Sequence, residues 1–218
     1  MKRICILFLI TLYSTLTFAI EKETKVQIVT DAGKITVKLY NETPQHRDNF
    51  IKLVQEHRYD SVMFHRVIKQ FMIQAGEKYS PSDSIRRASY KELDYNVPAE
   101  FLIPKYFHVK GKLCAARTSD NINPERASSA TQFYIVTGKH YLDSELDKLE
   151  RELNVKFTPE QREAYKTEGG TPSLDGAYTI FGEVISGMNV VHKIELVKTD
   201  DRDRPEKEIR IKSMKILK

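Results

Sequence analysis

The chain of 218 residues contains no tryptophan and only two cysteines, Cys5 and Cys114. Cys5 lies in an N-terminal segment that we expect to be removed, and a chain left with one cysteine cannot close an internal disulfide. Cys114 lies in the apolar run 112–116, which is typical of an inert core thiol. The fold must therefore be held by a hydrophobic core, and the length is sufficient for one well-buried domain.

Charge of one sign is not concentrated anywhere in the sequence. The formal net charge is +5, and it falls to +3 without residues 1–19, because two basic residues and no acidic ones leave (5 − 2 = 3). No basic block with interleaved aromatic residues is present, so the sequence does not predict a nucleic-acid partner. The histidines have no metal-ligand spacing, and neither a metal site nor a cofactor is predicted.

Long hydrophobic runs are absent except near the N-terminus. A short basic start precedes an apolar run from Ile4 to Phe18, and Thr17 and Ala19 place small residues at the −3 and −1 positions of a cut after Ala19. This is the pattern of a secretory signal peptide. The alternative is a membrane anchor, but the run is shorter than the roughly 20 residues of a membrane span and carries several hydroxyl side chains. We therefore expect residues 1–19 to be cleaved and the mature chain to be exported to a periplasm, without stable membrane insertion.

Hydrophobic periodicity predicts a mainly β domain over residues 20–218. Residues 25–30 and 34–40 alternate on either side of a glycine turn, which indicates a β-hairpin. Thr43 followed by Pro44 predicts a capped helix start. Further strands are predicted at 107–117, 131–137, 179–185 and 207–218, with a short helix after Gly187.

The stretch from Phe64 to Gly76 is the most informative, because polar residues lie among large apolar ones. Its ends have the composition of strands, yet it carries Arg66 and Gln74. A guanidinium beside buried surface must be hydrogen-bonded or hydrated, because otherwise it costs several kcal/mol. The residues alone leave two interpretations open. Arg66 either faces solvent from an ordinary strand, or it lies with Gln74 at the edge of a shallow apolar groove.

The residue order in this stretch resembles the signature of cyclophilin-type peptidyl-prolyl cis-trans isomerases. It reads FHRVI, two residues, FMIQ, one residue and then glycine. With the first strands, the matching segments cover most of residues 25–217. The resemblance implies a closed eight-stranded antiparallel barrel capped by helices, and catalysis of rotation about X–Pro bonds. Three further segments match the family in order, namely Gly111–Arg117, Ser129–Thr137 and Leu174–Met188.

The same resemblance assigns roles to individual residues. Arg66 corresponds to the family's catalytic arginine, and Gln74 would hydrogen-bond a substrate carbonyl and help to hold Arg66. The expected partners are proline-containing polypeptides, bound by a monomer. The implied substrate-binding residues are Phe71, Met72, Tyr134 and Leu174 around the proline ring, Ala116 and Arg117 through their main chain, and Tyr178 as a hydrogen-bond donor to a substrate carbonyl.

Three positions depart from the family pattern. Tyr134 replaces a pocket phenylalanine, and its hydroxyl should be tolerated if it reaches water or a partner. Ser173 replaces the tryptophan of eukaryotic members, so the resemblance implies weak cyclosporin binding without a loss of turnover. Arg117 replaces a common asparagine at a place where the substrate contact is expected to be made by the main chain.

Residues 139–170 depart from the family's short connection. Leucines recur at 142, 146, 149 and 153, on one face of a helix. Thr158, Pro159 and Gln161 then predict a capping box at the start of a second helix. We interpret the segment as an inserted helical hairpin. Either it only thickens the fold, or it forms a wall beside the groove that restricts substrates.

Two functional hypotheses follow. The first is an exported peptidyl-prolyl isomerase that assists the folding of exported proteins, with Arg66 donating to the prolyl nitrogen. The second is a binding module on the same fold, which docks proline-containing segments with little turnover. The intact residues Arg66, Phe71, Met72 and Gln74 favour the enzyme, whereas an insert that covered the groove would favour the binding module.

Overall fold

A computed structural model describes residues 22–76 and 93–217. The predicted signal peptide, residues 1–19, lies outside the described residues. None of the helices within the described ranges combines the length and the apolar character that a bilayer span requires. Four α-helices lie in these ranges: α1 (Pro44–Gln55), α2 (Asp143–Leu153), α3 (Pro159–Thr167) and α4 (Met188–Glu195).

The centre of the fold is an eight-stranded antiparallel sheet. Its strands are β1 (Lys25–Thr30), β2 (Gly33–Leu39), β3 (Phe64–Ile68), β4 (Met72–Ala75), β6 (Lys112–Ala115), β8 (Phe133–Val136), β9 (Ile180–Ser186) and β10 (Ile211–Leu217). They lie in the order β10-β1-β2-β9-β6-β8-β4-β3. Two short strands, β5 (Asn96–Val97) and β7 (Ser128–Ser129), pair separately.

The sheet curls into a half-barrel that is open, so the predicted closed barrel was wrong. Among the described residues, the outer strands β3 and β10 form no ladder with each other. They meet only where each strand begins, through a bridge between Met63 and Arg210. Beyond this point the chain before β10 lies along β3, and the Asp203 carbonyl accepts a hydrogen bond from the Val67 amide at 2.8 Å. This loop occupies the place that a closing ladder would need.

Strand alternation gives the sheet two buried faces with different roles. One face carries Val67, Ile73 and Ile135 into the main core, and these residues are paired across β3, β4 and β8. The neighbouring row across the same strands points to the opposite face, where a second apolar cluster holds Met72 and Tyr134. Because the side-chain period of a strand is two, the positions between the core residues are the ones that can build a site.

Helices α1 and α4 cover the main core, as the family resemblance implied, through Phe50 and Leu53 of α1 and Ile194 of α4. Helix α1 begins at Pro44 as predicted, but the Thr43 hydroxyl makes no capping hydrogen bond. Both carboxylate oxygens of Glu100 accept the first free amides of the helix instead, including the His46 amide at 3.0 Å. A negative group at this end also complements the helix dipole.

The insert forms helices α2 and α3, and its two ends meet in a bridge between Lys139 and Gly170. The capping box at Thr158 is present, with the Gln161 amide donating to the Thr158 hydroxyl at 3.2 Å. The predicted leucine stripe is buried only in its middle. Leu146 is fully buried, whereas Leu142 and Leu153 are 70% and 41% exposed, because they lie just before the helix and at its last residue.

The insert packs against the barrel through a third cluster that brings together Leu146, Phe157 and Tyr165 of the insert with Phe107 and Val109. The Tyr165 ring lies edge-on to Phe107, with ring centres 5.6 Å apart. The packing of the hairpin against the barrel therefore depends more on aromatic residues than on the four leucines.

Candidate active site

Strand pairing brings the predicted site residues into one row. Arg66 lies opposite Gln74 across β3 and β4, and Gln74 lies opposite Tyr134 across β4 and β8. Tyr134 in turn lies opposite Cys114 of β6. These residues are far apart in the sequence, but all of them lie on the face of the sheet away from the main core.

The row opens into a cavity of about 190 Å³. This volume suits a single small group, since pockets for drug-sized ligands measure about 300–1,000 Å³. No insert residue in the described ranges lines the cavity. All nine residues that the sequence singled out do so: Arg66, Phe71, Met72, Gln74, Ala116, Arg117, Tyr134, Leu174 and Tyr178.

Arg66 lies at the rim of the cavity, with 45% of its side chain exposed. It therefore combines the two interpretations open from the sequence, because it faces solvent and also borders the groove. Its Nε–H donates to Oδ2 of Asp203 at 3.2 Å. Gln74 forms no hydrogen bond with Arg66 among the described residues, and its Nε2 donates to Oε1 of Gln132 at 2.9 Å. Within the described residues, Nε is the atom of the Arg66 guanidinium that is hydrogen-bonded, and the side chain lines the cavity.

Sequence reasoning missed Asp203 and Gln132 as neighbours of the site. Gln132 could have been found, because it lies two positions before Tyr134 and strand alternation places both on one face. Asp203 had no such signal, since it belongs to the irregular chain that precedes β10 and reaches Arg66 only through the tertiary fold.

The floor of the cavity is apolar except for one satisfied hydroxyl. Met72 and Tyr134 are 2% and 4% exposed. The Tyr134 hydroxyl lies 3.0 Å from Nε2 of His108, which supplies the partner that the sequence analysis required for a tyrosine at this position. Burial raises the pKa of Tyr134 well above its usual value, so the group stays a neutral hydroxyl.

Arg117 and Tyr178 also line the cavity, and they contact each other. The Arg117 guanidinium lies 4.5 Å from the centre of the Tyr178 ring, and its Nε–H donates to the Ala177 carbonyl at 2.7 Å. The side chain of Arg117 is only 4% exposed. It therefore holds Tyr178 in place by a cation–π contact, which the sequence analysis, concerned only with the main chain at Arg117, did not foresee.

The main chain of Ala116 is largely engaged within the fold. Its amide donates to the Gln132 carbonyl at 2.9 Å, and its carbonyl accepts from the Ser129 amide at 2.8 Å. No hydrogen bond joins the amide or carbonyl of Arg117 to the described residues. Of the two predicted main-chain contacts for a substrate, the one at Arg117 is thus better supported.

His65 precedes Arg66 on the strand and is 7% exposed. Burial, followed by the nearby charges of Arg204 and Arg66, lowers the pKa of His65 to about 4. The neutral imidazole avoids a second cation beside Arg66.

This shift predicts an acid-sensitive fold. An unfolded histidine has a pKa of about 6.5, so between pH 6.5 and 4 the unfolded chain binds more protons and stability falls as pH falls. We expect His65 to cost the protein about 2 kcal/mol of unfolding free energy between pH 7.5 and 5. Urea denaturation at pH 7.5 and pH 5 measures this difference in unfolding free energy. In His65→Gln the difference between the two pH values should be smaller by that amount.

The same substitution at the exposed His57 controls for the loss of an imidazole from the chain. If His65→Gln loses as much unfolding free energy between pH 7.5 and pH 5 as the wild type does, the pKa of His65 does not differ between the folded and unfolded states.

Comparison with known proteins identifies the family. The model of cyclophilin type peptidyl-prolyl cis-trans isomerases matches residues 25–216, nearly all of the described chain. The chain belongs to the cyclophilin-type peptidyl-prolyl cis-trans isomerases. The enzyme class predicted from the sequence is confirmed, and the nine residues around the cavity lie within the matched region.

Individual cyclophilin relatives agree with this. A putative peptidyl-prolyl cis-trans isomerase of Staphylococcus epidermidis is 30% identical over 200 residues, covering 90% of this chain and 93% of the relative. The peptidyl-prolyl cis-trans isomerase-like 2 of Rhizopus delemar is 29% identical over 202 residues, and this chain spans 30% of its length. The cyclophilin-type isomerase structure from Cryptosporidium parvum shares the fold, with a TM-score of 0.65 and 22% identity over 90% of this chain and 99% of that one.

Proposed function

We propose that this cyclophilin accelerates the rotation of X–Pro bonds in exported polypeptides, with Arg66 as the donor that stabilises the rotating amide. The observation that carries the proposal is the assembly of all nine candidate residues around one small cavity, with the cation at the rim and an apolar floor. A Cryptosporidium parvum cyclophilin of 23% identity was crystallised in the presence of the dipeptide Ala-Pro, and a cavity of this size suits a proline ring.

The reaction breaks no bond, so the site needs no nucleophile and no general base. The barrier comes from amide resonance and amounts to about 18–20 kcal/mol. A catalyst lowers it by binding the twisted amide better than either planar form. In the twisted amide the prolyl nitrogen regains its lone pair, and a fixed cationic donor aimed at this nitrogen acts only in that state.

Arg66 meets these requirements. Arginine keeps its charge at any working pH, and the Nε bond to Asp203 holds the guanidinium at the rim. Met72, Phe71, Tyr134 and Leu174 would hold the proline ring while the preceding residue rotates.

A direct test is the cis-to-trans rate of a short X–Pro peptide with and without catalytic amounts of the protein. Acceleration above the spontaneous exchange, which takes tens of seconds or more, is the expected result. Binding of the peptide without acceleration would overturn the proposal and leave the alternative, a proline-binding module. The absence of described insert residues from the cavity lining favours the enzyme over that alternative.

The export part of the proposal is supported by the sequence of residues 1–19. We expect the protein recovered from the cell envelope of a bacterial host to begin at Ile20, because the cut follows Ala19. Intact mass spectrometry measures this directly. A recovered protein that retains residues 1–19 would contradict cleavage and would favour the anchor.

A further inference from the structure

A buried chain of polar side chains connects the insert to the proline pocket. The Tyr165 hydroxyl, on α3 of the insert, donates to Oδ2 of Asp175 at 2.6 Å. Oδ1 of Asp175 accepts the His108 amide at 2.8 Å and lies 2.9 Å from its Nδ1. Nε2 of His108 lies 3.0 Å from the Tyr134 hydroxyl at the floor of the cavity. Four residues therefore link a helix that does not touch the cavity to the floor of that cavity.

Carboxylate chemistry fixes the hydrogen bonds at the centre of this chain. The Asp175 carboxylate can only accept, so Nδ1 of His108 donates to it. Nε2 of His108 and the Tyr134 hydroxyl share the next hydrogen bond. Burial, reinforced by the Asp175 carboxylate, raises the pKa of Tyr165, so this end also stays a donor. Each of the four side chains is hydrogen-bonded to its immediate neighbour in the chain.

The chain is shielded from water over its whole length. Tyr165 and His108 are fully buried, and Tyr134 is 4% exposed. The Asp175 side chain is 8% exposed. Leaving a buried polar group without its partner costs about 1–3 kcal/mol, so the network holds the Tyr134 ring in one orientation rather than merely tolerating its hydroxyl.

The position of Asp175 adds a second link to the pocket. It directly follows Leu174, which lines the cavity. The Tyr134 ring also lies edge-on to Tyr178, with centres 6.0 Å apart. A shift of Asp175 would therefore reach two walls of the pocket together with its floor.

We propose that Tyr165, Asp175 and His108 are positioning residues for the proline pocket, and that the insert thereby sets the shape of a site it does not touch. The inference rests on the proposed isomerase function. It assigns the insert a role different from both the added thickness and the substrate-restricting wall considered from the sequence. The observation behind it is the unbroken series of hydrogen bonds from α3 to Tyr134.

The decisive experiment is a double-mutant cycle on Tyr165 and Tyr134. Tyr165→Phe keeps the ring and removes only the link, and we expect it to raise both the KM and the dissociation constant for an X–Pro peptide about 3- to 10-fold, the effect of one lost hydrogen bond. The value of kcat should stay within about 2-fold, because the pocket binds the planar and twisted amides alike. In a Tyr134→Phe background, Tyr165→Phe should add nothing further.

Tyr141→Phe is the matched control. It removes a hydroxyl from another tyrosine of the insert, whose ring lies edge-on to Tyr165 with centres 6.2 Å apart. The Tyr141 hydroxyl makes no hydrogen bond to the described residues. Its KM should equal that of the wild type. If Tyr165→Phe does not fold, Asp175→Ala tests the same link, because it removes both acceptor oxygens; its KM should also rise.

The outcomes separate the two proposals. A wild-type protein without isomerase activity overturns the proposed function, whatever the variants do. An active wild type with an unchanged KM in Tyr165→Phe overturns the positioning role alone. Additive effects of Tyr165→Phe and Tyr134→Phe would also overturn it, because independent destabilisation adds whereas a shared network does not.

Discussion

Replacing Arg66 by alanine should lower kcat/KM for a short X–Pro peptide by about 10²-fold or more, the loss seen when one preorganised transition-state donor is removed. The side chain is 45% exposed and its described partner is the equally exposed Asp203, so the fold should survive the change. The loss should therefore appear in kcat, with the peptide still bound by the apolar floor. A protease-free isomerisation assay, with the peptide dissociation constant measured separately, would show this split.

Two further variants sharpen the test. Arg66→Lys keeps the charge but loses the planar fork that Nε anchors to Asp203, and we expect its activity to lie between those of the wild type and Arg66→Ala. Arg151→Ala removes an exposed arginine from the insert, outside the cavity, and should behave as the wild type. An Arg66→Ala protein that is folded and retains most of its kcat/KM would exclude Arg66 as the donor.

Replacing Gly170 by alanine should destabilise the protein by about 3 kcal/mol or more, the upper range for overpacking. A Cβ at this position would lie 2.2 Å from the His108 carbonyl oxygen and 2.7 Å from the Tyr165 ring. Neither neighbour can retreat easily, because one is backbone and the other is fully buried. The midpoint of urea denaturation at unchanged slope measures the loss.

Gly111→Ala is the matched control for this effect. Gly111 has a φ of +87°, and a Cβ there would make ordinary van der Waals contacts, at 3.5 Å from the Met188 sulfur and 4.0 Å from the Val184 Cβ. The left-handed backbone alone should cost about 1–2 kcal/mol. Equal losses in the two variants would show that space at Gly170 is not limiting, and that the insert is joined to the barrel less tightly than the distances indicate.

The backbone bridge at Gly170 explains how the barrel accommodates a long insert. Lys139 and Gly170 exchange backbone hydrogen bonds of 3.2 and 2.9 Å, so the insert leaves and rejoins the barrel at one point. Closing a longer loop between ends already fixed in space costs little additional entropy. The insert then gains its stability from the aromatic cluster around Tyr165.

Much of the site was predictable from the sequence, because the family resemblance assigns its residues one by one. Strand alternation supports this for Gln74 and Tyr134, which lie opposite each other, but it does not select the adjacent residues Phe71 and Met72. The order of residues around Arg66 is specific enough to predict the family, and Thr158 and Gln161 are close enough in sequence to predict their own capping box.

Other features depend on residues that are distant in sequence, and local patterns carry no signal for them. Glu100 rather than Thr43 caps α1. It accepts the amides of Gln45 and His46, which lie 55 and 54 positions before it in the sequence. Asp203 rather than Gln74 holds Arg66, across 137 residues. The barrel is open, and the chain around Asp203 lies along β3 where a ladder with β10 would otherwise form. The strand propensities of β3 and β10 do not predict this arrangement.

The sequence by itself determined the family, the strand-rich class and the presence of two inserted helices, since each is written in short residue patterns, and the family resemblance then implied the nine cavity residues. Only the tertiary structure decided what surrounds those residues: the tether of Arg66, the cation–π support of Tyr178, and the path from Tyr165 to Tyr134. The physical reason is that a buried polar side chain must find a partner wherever the fold supplies one. That partner is chosen by distance in space, which the order of residues along the chain does not encode.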